Sequence, residues 1–283
     1  MPASSVRTDP TDLARTAETL EMLAPRWSAW VLMTLASEPL RYATIKLRLP
    51  WLADGQLHPR LKKLTDAGVV QRSEYPQRHV SYGLTARGAE LLPILGVLAA
   101  WGNAHLEKEW VRDATGARRP QQVAAAEDIE DTLALISPRH TTAIVWTLRA
   151  RGAASATTVA AEAIPGKALT AVYPPLNRLV ADGLVTAEDG EFRLSESGVD
   201  LAPVYRAVSA WAAGRPLGDT HPLWGTAPAP SVSRNRTWAT TASRRPASPA
   251  PGTTTPAWKS TDLFSHSHPV QARPSLPSGA KRR

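Results

Sequence analysis

The strongest constraint on the fold is that the chain repeats itself. Residues 61–70 (LKKLTDAGVV) are matched by residues 176–185 (LNRLVADGLV) at a constant offset of 115. A second block, residues 84–101, is matched by residues 194–211 at an offset of 110, because the segment between the two blocks is shorter in the second copy. A repeat that spans a whole supersecondary unit predicts two copies of one domain in tandem.

Residues 51–84 give the character of the repeated unit. Leu57, Leu61 and Leu64 recur at helical i, i+4 and i+7 spacing and predict one apolar helix face. Gly68 suits the left-handed residue that follows a helix end. Two strand-like runs with a basic loop between them come next. The pattern predicts a recognition helix followed by a β-hairpin wing, which is a nucleic-acid-reading shape.

Short motifs around this segment stand in a fixed order. They are Arg26-Trp27, Leu40-Arg41-Tyr42, Leu49-Pro50, Leu61-Lys62-Lys63-Leu64, Ala67-Gly68-Val69-Val70 and Val80-Ser81-Tyr82-Gly83-Leu84-Thr85 with Gly88. In this order and spacing, residues 24–101 resemble the HxlR-type winged helix-turn-helix family of bacterial regulators. The resemblance implies a regulator of transcription that acts on promoter DNA, usually as a dimer.

The basic and amide side chains of this region are the candidate DNA contacts. The major groove admits an α-helix, in which Arg or Lys pairs with guanine and Gln with adenine. The first residues of the recognition helix are expected at base edges, while the later lysines, the preceding helix and the wing meet the backbone or the minor groove. The alternative is a solvated charged face. The predicted DNA-binding residues are Arg41, Lys46, Arg48, Gln56, His58, Arg60, Lys62, Lys63, Arg72, Arg78 and His79.

Pro59 departs from the family pattern, because it falls within the predicted recognition helix. Proline costs about 3 kcal/mol in a helix interior and is tolerated in the first turn. Either the helix begins near His58, which would leave Gln56 on the preceding loop, or its first turn is distorted. The second copy has Pro174 and Pro175 at the same place.

The second copy is predicted to be a weaker DNA reader. Its recognition segment keeps only Lys167 and Arg178 as cations, and its wing carries Glu188, Asp189 and Glu191, which phosphates would repel. Our hypothesis is that it serves as a dimerisation partner and forms an intramolecular pseudo-dimer with one DNA face. An alternative hypothesis is that its acidic surface binds a basic protein or the chain's own tail. A further alternative is that two chains form a homodimer.

Charge is distributed unevenly along the chain, whose total is +8. Residues 21–110 carry 11 Lys and Arg against 8 Asp and Glu, residues 127–213 carry 7 against 11, and residues 214–283 carry 10 against 2. The last segment is rich in Pro, Ala, Ser and Thr, and its tryptophans, Trp224 among them, follow no helical or strand period. Such a segment is predicted to be disordered, either as a nucleic-acid-binding tail or as a solvated extension.

Several classes of function find no support in the composition. The chain has no cysteine, which removes disulfides, thiolate metal sites and redox switches. Neither a signal peptide nor a membrane span is recognisable, so we expect a cytoplasmic protein, associated with the nucleoid when bound to DNA. The seven histidines are scattered without a nucleophile or a ligand set. We therefore expect no enzyme activity, no cofactor and no metal.

The sequence thus predicts a mainly α protein with small β-hairpin wings. Helices are expected over residues 11–23, 26–36 and 42–48, with one long, apolar helix after the first wing that is kinked or locally adjusted at Pro93. The predicted domains are a DNA-binding winged helix (1–112), a linker (113–126), a degenerate winged helix (127–213) and a disordered basic tail (214–283). The predicted function is sequence-specific transcriptional regulation with double-stranded DNA as partner. The alternative is a protein–protein interaction scaffold with non-specific DNA affinity.

Overall fold

A computed structural model describes residues 10–75, 79–113 and 115–226, all of which belong to one compact unit. The described chain is mostly helical, with small antiparallel sheets. No helix within these ranges is long and apolar enough to cross a membrane.

The N-terminal half, residues 10–105, consists of six helices and a three-stranded sheet. Its strands, β1 (Leu40–Arg41), β2 (Val70–Tyr75) and β3 (His79–Leu84), pair in the order β1-β3-β2. The β2–β3 hairpin is the wing, in which Val70 pairs with Leu84 and Tyr75 with His79. The elements are α1 (Pro10–Leu23), α2 (Ser28–Thr34), β1 (Leu40–Arg41), α3 (Tyr42–Arg48), α4 (Asp54–Asp66), β2 (Val70–Tyr75), β3 (His79–Leu84), α5 (Ala86–Ala89) and α6 (Leu92–His105).

The C-terminal half, residues 125–212, runs through the same order of helices and strands. Its sheet pairs in the equivalent order β6-β8-β7. The one added element is a 3-10 helix, Leu169–Ala171. The others are α7 (Ala125–Ile136), α8 (Thr141–Arg151), β6 (Ala153–Ser155), α9 (Ala156–Ala163), α10 (Tyr173–Ala181), β7 (Val185–Glu188), β8 (Glu191–Leu194), α11 (Glu196–Val199) and α12 (Ala202–Ala212).

A glycine in each half permits close contact between the helix after the wing and the residue just before the first strand of that wing. A Cβ on Gly88 would lie 1.9 Å from the carbonyl oxygen of Val69, and one on Gly198 would lie 2.2 Å from that of Leu184. Any side chain at these positions would collide with backbone, so only glycine permits the contact. The repeated Gly in the sequence therefore has a direct packing cause in both halves.

The single long helix expected after the first wing is wrong. Thr85 caps α5 by accepting a hydrogen bond from the amide of Gly88 at 3.0 Å, but α5 ends after one turn at Ala89. A new helix, α6, begins at Leu92 with Pro93 in its first turn. Proline lacks an amide hydrogen and is tolerated only there, so the chain restarts the helix instead of kinking it.

The segment expected to be a linker, residues 113–126, contains a strand and the start of a helix. Strands β4 (Trp110–Arg112) and β5 (Arg118–Pro120) pair as an antiparallel hairpin. Asp113 accepts hydrogen bonds from the Thr115 and Ala117 amides inside its turn, at 2.9 and 3.0 Å. The helix α7 then begins at Ala125, two residues before the predicted boundary.

The two halves pack through their terminal helices in a reciprocal way. Helix α1 packs on α12 and, correspondingly, α7 packs on α6. The Trp101 indole N–H donates to the carbonyl of Ser197 at 3.1 Å, and the equivalent Trp211 indole N–H donates to the carbonyl of Arg87 at 3.0 Å. Since the offset of 110 relates both the tryptophans and their acceptors, each half makes the same bond to the other.

Residues 214–226, which the sequence analysis assigned to the disordered tail, are ordered and pack on the core. Trp224 is 3% exposed and stacks on Tyr205 at a ring separation of 4.8 Å. The Nδ1 atom of His221 accepts the Leu223 amide at 3.0 Å, which leaves Nε2 to donate to Asp12 at 2.8 Å. This segment thereby fastens α12 to the start of α1, and the remainder of the predicted tail, residues 227–283, lies outside the described residues.

Candidate nucleic-acid interface

Helix α4 is held at its N-terminus by the preceding helix, α3. The Tyr42 hydroxyl donates to Asp54 at 2.8 Å, and Lys46 donates to the carbonyl of Leu52 and lies 3.6 Å from Asp54. Burial and the hydrogen bond to Asp54 raise the pKa of Tyr42 to about 12, so this hydroxyl stays a donor. Asp54 also lies at the positive end of the helix dipole. Lys46, predicted as a phosphate contact, therefore positions the recognition helix.

The outer face of α4 is polar and the inner face apolar, as the spacing predicted. Leu57, Leu61 and Leu64 are buried. Gln56, His58, Lys62 and Lys63 are exposed. Lys62 forms an ion pair with Asp66 at 2.9 Å, and Gln56 accepts the amide of Ala53 at 3.3 Å. Within the described parts of the chain, His58 and Lys63 form no side-chain hydrogen bond or ion pair, so both are available to a ligand.

Pro59 lies inside the helix, which begins at Asp54 and not near His58. Gln56 consequently belongs to the first turn and not to the preceding loop. Proline removes the hydrogen bond to the carbonyl four residues earlier, here that of Gly55. Both Gly55 and Pro59 are exposed, so the missing bond lies on the outer side of the helix.

Arg60 does not share the free exposure of its neighbours. Its side chain is half-buried, and its Nε atom is buried without a hydrogen-bond partner. Burial lowers the pKa of Arg60, while the Glu130 carboxylate of α7 acts in the opposite direction. Glu130 also accepts the amide of Trp27 at 2.5 Å. Arg60, predicted as a base contact, thus faces the junction between the two halves as well as the exposed surface.

The remaining candidates lie around α4, and some of them already form ion pairs within the protein. Arg41 and His79 are exposed, and within the described residues neither forms a side-chain hydrogen bond or an ion pair. Arg72 pairs with Glu74 on the wing, and Arg48 pairs with Glu38 at 2.7 Å. Arg78, at the predicted tip of the wing, lies outside the described residues.

The most available cations of the interface are therefore Arg41 and Lys63. Sequence reasoning missed the hydrogen bonds from Tyr42 and Lys46 that fix α4. It also missed the effect of the Glu130 carboxylate on Arg60. Tyr42 could have been found from its place at the start of α3. Nothing in the sequence links Glu130 to Arg60, since they are 70 positions apart and meet only because α7 packs beside the N-terminal half.

Helices α3 and α4 form a helix-turn-helix, and the β2–β3 hairpin that follows is its wing. This arrangement defines the winged helix-turn-helix class. The HxlR-like helix-turn-helix family model matches residues 22–110. With the relatives described next, this match shows that the chain belongs to the HxlR-like helix-turn-helix family.

Similar proteins cover the same part of the chain. It is 33% identical over 99 residues to the uncharacterized HTH-type transcriptional regulator YvaP of Bacillus subtilis, a match covering 34% of this chain and 87% of the relative. An uncharacterized HTH-type transcriptional regulator of Methanothermobacter thermautotrophicus is 34% identical over 82 residues, covering 28% of this chain and 63% of that protein, less than two thirds of its length. The solved structure of reduced YodB from B. subtilis is 25% identical, covers 36% of this chain and 97% of that chain, and has a TM-score of 0.32.

Proposed function

We propose that this protein is a sequence-specific DNA-binding transcriptional regulator that reads promoter DNA through the winged helix of its N-terminal half. The observation that carries the proposal is the two-sided helix α4. Its leucines are buried in the core while Gln56, His58 and Lys63 stand exposed on its outer side. The names of the relatives, HTH-type transcriptional regulators, support the same reading.

The exposed groups divide into two roles. Lys63 and Arg41, which have no ion-pair partner among the described residues, suit phosphate oxygens, and such contacts set affinity and orientation but carry no sequence information. His58 and Gln56 lie in the first half of α4, where a recognition helix meets base edges, and they would set sequence preference. Each good base contact is worth about 1–3 kcal/mol of discrimination. Arg72 and His79 place the wing against the backbone.

The test is fluorescence anisotropy of the full-length protein on DNA from upstream of its own gene, with a scrambled duplex as control, across a salt series. His58→Ala and Lys63→Ala are the informative variants, because neither side chain supports the fold through a hydrogen bond or an ion pair in the described structure. His58→Ala should reduce the preference for the upstream duplex about tenfold or more. Lys63→Ala should weaken binding to both duplexes and lower the salt slope by about 0.9.

The result that contradicts the proposal is equal binding to both duplexes by the unmodified protein. If binding distinguishes the duplexes but does not change in His58→Ala, the proposed function still holds, and His58 is excluded as a base-reading residue. Gln56→Ala then becomes the next variant to measure, since Gln56 is also exposed in the first turn of α4.

A second candidate function is a protein–protein interaction scaffold with only non-specific DNA affinity. The observation that favours it lies in the C-terminal half, where Leu169, Tyr173 and Val180 are exposed apolar side chains on the 3-10 helix and α10. A scaffold with only non-specific DNA affinity would bind the upstream and the scrambled duplex equally, whereas a DNA reader would prefer the upstream duplex. The same anisotropy series therefore separates the two.

A further inference from the structure

The two halves bury the faces of their terminal helices against each other. Helices α1 and α6 of the N-terminal half are covered by α12 and α7 of the C-terminal half. The reciprocal hydrogen bonds of Trp101 and Trp211 are the mark of an isologous interface, in which one contact occurs twice about a twofold axis. A single chain thus contains the two-part arrangement that a homodimer would otherwise provide.

Close approach of α6 and α7 gives this interface little tolerance for change. A Cβ on Gly102 would lie 2.7 Å from the carbonyl oxygen of Asp128 and 2.7 Å from the hydroxyl oxygen of Thr132. Asp128 is itself 4% exposed and forms an ion pair with Lys108. The junction is therefore a packed core and not a loose contact between domains on a linker.

The C-terminal half does not present the reading surface of the N-terminal half. At the offset of 115, its recognition segment carries Tyr173, Pro175 and Asn177 in place of His58, Arg60 and Lys62. Helix α10 begins at Tyr173, and the preceding turn is a separate 3-10 helix, so the first turn that α4 uses is not part of α10. The base-reading end of the helix is thus changed in both composition and shape.

The one cation that the two recognition helices share by position is used for folding in the C-terminal half. Arg178, the counterpart of Lys63, donates to the carbonyls of Ala134 and Leu135 at 2.9 Å each. It also pairs with Asp182 at 3.2 Å. These carbonyls lie in the last turn of α7, where a cation is favourable. Among the described residues Lys63 has no such partners, so the same position is free in one half and occupied in the other.

The wing of the C-terminal half carries the wrong charge for DNA. Glu188, Asp189 and Glu191 are all exposed on β7, its turn and β8. Asp189 occupies the left-handed region at φ 52, so the tight two-residue turn displays the carboxylate at the hairpin tip. Phosphates would meet like charge here, which is unfavourable in the absence of a counterion.

We infer from these observations that one chain binds one DNA half-site: a self-contained pseudo-dimer with a single reading helix, whose operator is not an inverted repeat. This inference rests on the proposed function, because it specifies the DNA that the same site would take. It predicts one chain per duplex and contacts concentrated in one major groove. A symmetric homodimer would instead require half-sites spaced by about one helical turn.

The experiment measures stoichiometry and footprint on the full-length protein. The upstream duplex that binds best is shortened from each side, and light scattering counts the chains per duplex while hydroxyl-radical cleavage maps the protected positions. A duplex with the core site duplicated as an inverted repeat is the comparison. Lys167→Ala/Arg193→Ala, which removes two exposed cations of the C-terminal half, is the matched control for Lys62→Ala/Lys63→Ala.

The expected result is one chain per duplex, protection without dyad symmetry, and no gain in affinity per site from the inverted repeat. Lys62→Ala/Lys63→Ala should weaken binding at least tenfold, while Lys167→Ala/Arg193→Ala should change it less than threefold. Two chains with dyad-symmetric protection, or equal losses in both double variants, would overturn the inference and leave the proposed function standing. No preference for any upstream duplex would instead defeat the proposed function, and the inference with it.

Discussion

Replacing Gly102 with alanine tests the packing of α6 against α7, on which the proposed pseudo-dimer depends. The added methyl group would lie 2.7 Å from both the Asp128 carbonyl oxygen and the Thr132 hydroxyl oxygen, against an ordinary contact of 3.4 Å or more. Neither neighbour can yield easily. The Asp128 oxygen is backbone, and the Thr132 hydroxyl donates to it at 2.7 Å. Accommodation therefore requires the two helices to separate.

The expected magnitude is the difference between two opposing effects. Alanine in place of glycine in a helix gains about 1 kcal/mol from the reduced freedom of the unfolded chain. Overpacking a well-filled interface costs about 1–3 kcal/mol. Gly102→Ala should therefore lower the free energy of unfolding by about 1 kcal/mol. Gly55→Ala makes the same chemical change in α4 with no atom within 4 Å of the new Cβ, so it should be neutral or stabilising by up to about 1 kcal/mol.

The assay is urea denaturation of the full-length protein, followed by tryptophan fluorescence and by circular dichroism. The difference in stability between the two glycine variants gives the cost of the steric overlap at Gly102, because the gain in helix propensity is common to both. We expect Gly102→Ala to be less stable than Gly55→Ala by about 1–3 kcal/mol, with unchanged dependence on urea concentration. Equal stability of the two variants would refute the close approach of α6 and α7 and, with it, the tight junction between the halves.

Three further predictions concern the packing between the two halves and the packing of residues 214–226. Trp101→Phe and Trp211→Phe should each destabilise the protein by about 1 kcal/mol in urea denaturation, because each removes one of the two reciprocal indole donors; a much larger loss in only one of them would contradict the twofold relation. Burial raises the pKa of Glu130 to about 7, above its ordinary value of 4.5, so its contribution to stability is complete below pH 4.5 and is lost as the pH rises through 7. Glu130→Gln should remove that loss when melting is followed from pH 5 to 8. The expected size of the loss is about 1–2 kcal/mol after allowance for partial solvation. Glu127→Gln is the exposed control on the same helix, and an identical change in this variant would disprove the cause. Trp224→Ala should lower the free energy of unfolding by about 3–5 kcal/mol, and a thermal shift of under 2 °C would show that residues 214–226 do not pack firmly on α12.

Local sequence patterns predicted the winged helix of the N-terminal half well. The i, i+4, i+7 leucines of α4 are buried, and Gly68 adopts the left-handed conformation after the helix at φ 71. The family resemblance named from short motifs is confirmed by the match over residues 22–110. These signals are reliable because each depends on neighbours within one turn or one hairpin, which the sequence displays directly.

Prediction was poorer where a residue has partners remote in sequence. Lys46 and Arg48 look like free cations until Leu52 and Glu38 are seen beside them. Trp224 looks like one more scattered tryptophan of a disordered tail, yet it stacks on Tyr205 of α12. A list of basic residues therefore overstates the number of charges that are free to meet DNA.

The sequence by itself determined the repeated order of helices and strands, the apolar and polar faces of α4, and the loss of cations from the second recognition segment. These follow from residue type and spacing alone. Only the tertiary structure decided which charges are free, because Arg178 is held by the carbonyls of α7 while Lys63 has no partner in the described chain. It also decided that Trp101 and Trp211 each bond to the opposite half. The physical reason is that packing brings together groups about 100 residues apart, and the energies of burial and pairing depend on those neighbours and not on the local sequence.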